Sequence, residues 1–318
     1  MNVFLLTSIN CHLSQFILLY FFIVNHYLFH LLYFRICKKR AFTMALVRFT
    51  LAAGVVAVQL FPQTFLLQQY RKIRARYDFE NNELPIRKDI ERRLKEVLDD
   101  VNLVYRPMIP EERIKFFNVH DIEMFHAGST YSKYGGLVGI PANFEYNDID
   151  RINNGNISIQ SASLQWDAEA TEEFHKSLIL SENAQKFAIA QQILKVATFD
   201  PIIKGVNVLA DAVIGMGVYE LLRTKLKVTK QQRDYYRETE VNEIISKCGN
   251  KYIQGGVEYY EKLSQKNRAL RVLLGSKGRY MYTPAGNQTT WLTQKNIPIS
   301  EQIDYFKQKM QNIQSQLV

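Results

Sequence analysis

The chain has 318 residues, 47% of them hydrophobic, and a formal net charge of +9, which is enough apolar material for one large domain or two small ones. Residues 1–77 hold nine basic residues (Arg35, Lys38, Lys39, Arg40, Arg48, Arg71, Lys72, Arg74, Arg76) and no Asp or Glu; subtracting nine from 40 leaves 31 basic against 31 acidic residues from Asp78 onward. The basic excess is therefore an N-terminal property and gives no support to a nucleic-acid groove, while three scattered cysteines, Cys11, Cys37 and Cys248, exclude a disulfide framework, a zinc ribbon and covalent haem.

Residues 1–34 carry no formal charge and are crowded with Phe, Leu, Ile and Tyr, a length and composition that can span a bilayer. After RICKKR comes a second start-like signal at Met44, and Phe49 to Leu67 is again uncharged, with RKIRAR directly behind it. An acid-free, Arg-containing start running into apolar sequence suggests mitochondrial import and insertion into the inner membrane; alternatively, the basic residues only set the topology of flanking spans. Residues 1–43 are either an additional span or an extension preceding a true start at Met44, and 44–69 is the expected transmembrane segment.

From Tyr77 to Asp100 a charged helix is expected, its apolar face being Ile86, Ile90, Leu94, Val97, Leu98 and Val101. Between 103 and 166, Gly, Pro and the NNGN turn at 153–156 punctuate short β-prone runs, KFFNV, GLVGI and the alternating ISIQSASLQW, which predict a small antiparallel β region. Helix returns at Asp167 and continues past Lys195, with Ser181 and Glu182 as cap and first-turn acid. Residues 201–226 contain an apolar run interrupted by Lys204, Asp211 and Glu220. It is either a poor span or a helix lying along the membrane surface. Between Leu226 and Gly255 no uncharged stretch approaches the roughly 20 residues that a return crossing requires. Residues 227–318 form a helical C-terminal part, in which Val257, Tyr260 and Leu263 share one stripe and read as core. The fold expected is thus α+β and mostly α-helical, with an N-terminal transmembrane helix or helices, and with 70–200 as the first part of the α+β domain.

Candidate chemistry is sparse. None of the six histidines, His12, His26, His30, His120, His126 and His175, forms a helical pair four residues apart except His26 and His30, which sit in apolar sequence without a neighbouring base. LSENAQKFAIAQQILK (180–195) resembles the way membrane zinc peptidases enter their H-E-x-x-H helix, yet Gln191, Gln192 and Lys195 occupy the positions of the two histidines and the glutamate. FHAGSTYSKYGGLVGIPANF (125–144) resembles the strand and turn that edge such active sites. The segment ETEVNEII from Glu238 resembles the helix carrying the third ligand, with Glu238 at the ligand position and Asn242 at the usual aspartate. One possible ligand of three remains, so a peptidase-like scaffold without zinc ligands is expected: no catalytic residue, no metal and no cofactor.

VGIPANF (138–144), SLILSENAQKFAIA (177–190) and GGVEYYEKLSQKNRALRVLLG (255–275) followed by YTPAGN (282–287) together resemble the transmembrane protein 177 family of the mitochondrial inner membrane. The positions that carry this resemblance are Gly139, Pro141, Gly256, Glu258, Tyr260, Leu263, Gly275, Pro284, Gly286 and Asn287. It implies a non-catalytic, multi-pass inner-membrane factor for cytochrome c oxidase assembly, which stabilises newly made oxidase subunit two together with that subunit's assembly chaperone. The implied partners are those two proteins and the lipid bilayer, with no nucleic acid and no small-molecule substrate. The rival reading is a membrane-bound metallopeptidase-like enzyme with a non-standard active site.

Overall fold

The computed structural model describes residues 63–152, 166–198, 235–289 and 297–316, together with residues 50, 53, 54, 57 and 61. The chain divides into two units, residues 1–60 with 202–222 and residues 61–201 with 223–318. Residues 50, 53, 54 and 57, all helical, belong to the first; the elements that follow belong to the second.

A short helix α1 (Leu67–Arg74) leads through an extended segment to α2 (Lys88–Val104). Three strands follow, β1 (Ile114–Val119), β2 (Phe125–Gly128) and β3 (Gly136–Pro141). Then come α3 (Ala168–Leu178) and α4 (Glu182–Val196). Helical residues 235–247, here α5, precede α6 (Asn250–Leu273), α7 (Gly275–Met281) and α8 (Ile299–Gln316).

The expected N-terminal transmembrane helix is not found: among the described residues no helix is long and apolar enough to cross a membrane. Where the 44–69 segment enters the described chain, α1 has eight residues and carries Arg71, Lys72 and Arg74, while the longer α2, α6 and α8 are interrupted by charge at nearly every turn. Residues 1–43, most of 44–62 and the whole of 201–226 lie outside the described residues, as do the His26/His30 pair, Cys11, Cys37, the NNGN turn and nearly all of ISIQSASLQW.

The β region also departs from expectation, because the sheet is mixed. Its order is β1-β3-β2, with β1 parallel and β2 antiparallel to β3. β1 and β2 run in opposite directions but leave a slot between them, and the last strand fills it. GLVGIP is the one strand buried at all six positions, so it takes the place that is covered on both sides. Gly139 makes this possible, since a Cβ there would overlap a Val119 methyl and stand 3.0 Å from the Phe125 Cβ. The expected helix from Tyr77 begins only at Lys88; residues 77–87 are extended or turn, and Tyr77 bridges Glu83. Within α2 the periodic positions Ile90, Leu94, Val97, Leu98 and Val101 are all buried.

α4 is the central helix. Ser181 caps it, accepting from Ala184 N at 3.3 Å, and Glu258 of α6 accepts from Ser181 N (2.9 Å) and from its hydroxyl. Twelve of its 15 residues are buried, so it is covered nearly all round, and this explains why it lacks a clean polar face. It packs on α2, α6 and the sheet within the main core, which Phe187, Ile189, Ile193 and Leu194 share with Ile90, Val97, Val138, Ile140, Tyr252, Tyr260 and Phe306. α3 and the C-terminal half of α6 enclose a second cluster, and α1 covers part of the sheet in a third.

Buried Lys186 of α4 is held by Glu96 and Glu182 at 2.9 and 2.8 Å, and Lys251 of α6 reaches the same Glu96 oxygen at 2.9 Å. Hydrogen bonds from Lys186 and then Lys251 pull the Glu96 carboxyl down to about 2. A carboxyl depressed on folding contributes stability above its unfolded value and loses it as pH falls through the folded one. The melting advantage of the native protein over Glu96→Gln is therefore expected to shrink between about pH 4.5 and about pH 2 and to vanish below that. A constant gap across that window in detergent melts would remove this triad from the account.

Candidate functional site

Gln191, Gln192, Lys195 and Glu238, which the sequence aligned with degenerate peptidase positions, line one cavity of about 280 Å³. Helical spacing puts Gln191 and Lys195 on one face of α4, and Lys195 Nζ donates to Gln191 Oε1 at 3.3 Å. Gln191 Nε2 in turn donates to the Tyr260 hydroxyl of α6 at 2.7 Å. That hydroxyl donates to Asn242 Oδ1 of α5 at 3.3 Å, and Asn242 Nδ2 donates to Gln302 Oε1 of α8 at 2.9 Å. Gln302 Nε2 closes on the Ile297 carbonyl at 3.3 Å, while Glu238 accepts from Ile297 N at 2.8 Å.

Four helices are thus joined by one chain of side-chain hydrogen bonds. Gln191, Gln192, Asn242 and Gln302 are all buried, and a buried amide is tolerated because its donors and acceptors are met. Tyr260, 2% exposed, sits among Phe187, Tyr259 and Phe306. Burial pushes its phenol well above the ordinary range, so the hydroxyl stays protonated and available as a donor.

Asn143, in the VGIPANF stretch, lines the same cavity and is 5% exposed. Its Nδ2 donates to the Leu178 carbonyl at 3.0 Å, which fixes the amide's orientation, and its buried Oδ1 has no partner. The sequence had assigned Asn143 and Gln302 no role. Asn143 could have been noticed as a polar residue in an apolar strand exit, whereas Gln302 is indistinguishable from a surface amide of α8.

The remaining positions singled out from sequence are structural. Gly139 and Pro141 lie in the central strand, and Gly256 faces Phe187 and Phe306. Glu258 caps α4. Leu263 is half-buried beside the main core and not in its centre; the buried face of α6 also includes Ser264, Lys266 and Asn267. Gly275 (φ +56°) is the first residue of α7, with Leu274 alone between it and the end of α6. Pro284 lies in a turn that Gly286 and Asn287 complete: Gly286 O accepts from Asn267 Nδ2 at 2.7 Å, and Asn287 exchanges hydrogen bonds with Ser300 at the start of α8. Cys248 is half-buried, with its thiol pushed up to about 11 by burial. Among the described residues no group of three or more His, Cys, Asp or Glu is arranged to hold a metal ion.

No family profile matches the chain, and no solved structure resembles it closely enough to count as a match. Curated relatives do match. The chain is 28% identical over 252 residues to Transmembrane protein 177 of Xenopus laevis, covering 67% of this chain and 76% of that protein. To the Mus musculus protein of the same name it is 25% identical over 291 residues, covering 80% and 89%. To the Danio rerio one it is 31% identical over 192 residues, covering 51% of this chain and 61% of the relative, less than two thirds of its length. These matches, all to proteins named Transmembrane protein 177, support membership in that family. By name this is a family of membrane proteins. The peptidase comparison, by contrast, rests on residue order and on the convergence of four side chains, with no solved fold behind it.

Proposed function

We propose that this protein is a non-catalytic assembly factor of the mitochondrial inner membrane, which stabilises newly made cytochrome c oxidase subunit two together with that subunit's assembly chaperone. The support for the role is the family resemblance; the support for its being non-catalytic is the chemistry of the four convergent positions. Two amides, an ammonium and one carboxylate stand where a zinc peptidase needs two neutral imidazoles, a third ligand and a base. Amides neither ionise nor take a proton at neutral pH, and a protonated lysine does not coordinate a metal. Asn143 lines the same cavity, with its Oδ1 buried and unpartnered.

Pulse-labelling of mitochondrial translation tests the role: without the protein, labelled subunit two is expected to decay faster, and an unchanged half-life would reject the reading. Metal content tests the chemistry. Purified protein is expected to carry zinc well below one equivalent, with no change on Glu238→Gln. Stoichiometric zinc lost in that variant would favour the metallopeptidase-like alternative.

A further inference from the structure

We propose that the end of the described unit built from the Ser129–Gly135 turn, the residues before α1 and the C-termini of α2 and α4 rests in the headgroup layer of a lipid bilayer. The described residues that border two largely apolar stretches of sequence both bond to this turn. The uncharged run 49–67 arrives where Gln63 Oε1 accepts from Gly128 N at 2.7 Å and where the Phe65 ring lies 5.2 Å from Tyr134. The run 202–222 departs from residues just beyond Val196 and Thr198, whose carbonyls accept from Thr130 N (3.1 Å) and the Ser129 hydroxyl.

The last turn of α2 is tied to the same place, because Tyr105 donates to the Ala197 carbonyl at 2.9 Å and hydrogen-bonds Tyr131. Around this point apolar and aromatic side chains are exposed, Phe65 at 68%, Leu103 at 78% and Met108 at 63%, beside exposed Arg106, Glu111, Glu112 and Arg113, the last donating to the Ser132 carbonyl at 3.2 Å. Lys133 is exposed, its ammonium 5.0 Å from the Tyr134 ring. Aromatic rings together with lysine are what a membrane interface accepts and what bulk water does not favour. The far ends of the same helices differ in kind. α2 and α4 run side by side, with Arg93 near Glu182 and Tyr105 against Ala197, so the N-terminus of α2 lies about 25 Å away, where Lys88, Glu91 and Arg92 are exposed. Lipid is the occupant that fits, because the described residues that border both apolar stretches of sequence bond to this one turn. The inference rests on the membrane character of the family and is independent of any role in oxidase assembly.

The test uses the full chain with Cys11, Cys37 and Cys248 replaced by alanine and one new cysteine, Lys133→Cys or Glu91→Cys, both at exposed positions. Each is labelled with an environment-sensitive fluorophore and reconstituted into vesicles of phosphatidylcholine and phosphatidylglycerol with nitroxide-bearing headgroups. Most of the fluorescence is expected to be lost at position 133 and little at 91. Equal quenching at both positions, quenching at neither, or a reversed order would overturn the proposal; quenching at neither is the result expected if a protein partner covers this face. Phe65→Cys gives a second, independent reading of the same prediction.

Discussion

Gly255→Leu is expected to destabilise the protein by at least about 3 kcal/mol, the upper range for overpacking a close-packed interior. At this position α6 passes so near the first turn of α4 that a Cβ would overlap the Asn183 carbonyl oxygen and stand 3.1 Å from Ala184 N. Both obstacles are backbone, so no rotamer change relieves them, and the helix that carries Tyr260 and Glu258 must move as a body. Relative to a folding stability of about 5–15 kcal/mol, such a loss lowers both melting temperature and steady-state level. Gln254, the exposed neighbour, provides the comparison: Gln254→Leu should stay within about 0.5 kcal/mol. Matching denaturation midpoints for the two variants would mean that the α4–α6 crossing is looser than these distances require.

Tyr260→Asp carries the second large effect, about 4 kcal/mol. It removes a ring packed 5.5 Å from Phe187 and 5.9 Å from Phe306 and places a carboxylate among apolar neighbours. Tyr260→Phe keeps the ring and removes only the hydroxyl that links Gln191 to Asn242. It is expected to cost about 1–2 kcal/mol, because two buried amides lose a partner. Denaturant melts of the pair separate packing from the polar network, and a Tyr260→Phe protein as stable as the native one would show that the hydroxyl link contributes nothing.

Local signals in the sequence translated well. The three- and four-residue spacing of Ile90 to Val101 became the buried face of α2, and Ser181 became the cap of α4, because both depend on neighbours within one turn. Non-local choices did not translate. Nothing in KFFNV, FHAG and GLVGIP says that the last strand inserts between the first two; that order follows from which strand is covered on both faces, a property of the whole unit. The stripe on α6 was read too narrowly for the same reason. Leu263 is only half-buried, while Ser264, Lys266 and Asn267 are buried because specific partners, Ala285, Glu123 and Gly286, meet their polar groups. The candidate site was legible as four separate positions from two segments about 45 residues apart. Asn242 and Tyr260 were marked in the sequence as a motif counterpart and as core; that they and Gln302 join the site, on α5, α6 and α8, came into view only with the tertiary contacts.

The central claim is that this chain holds newly made oxidase subunit two without cutting it. The most direct measurement is affinity purification of the tagged full-length protein from mitochondria pulse-labelled for translation. The account predicts that labelled, full-length subunit two is recovered together with its assembly chaperone. Recovery of neither protein, or of subunit two only as chelator-sensitive cleavage products, would contradict it.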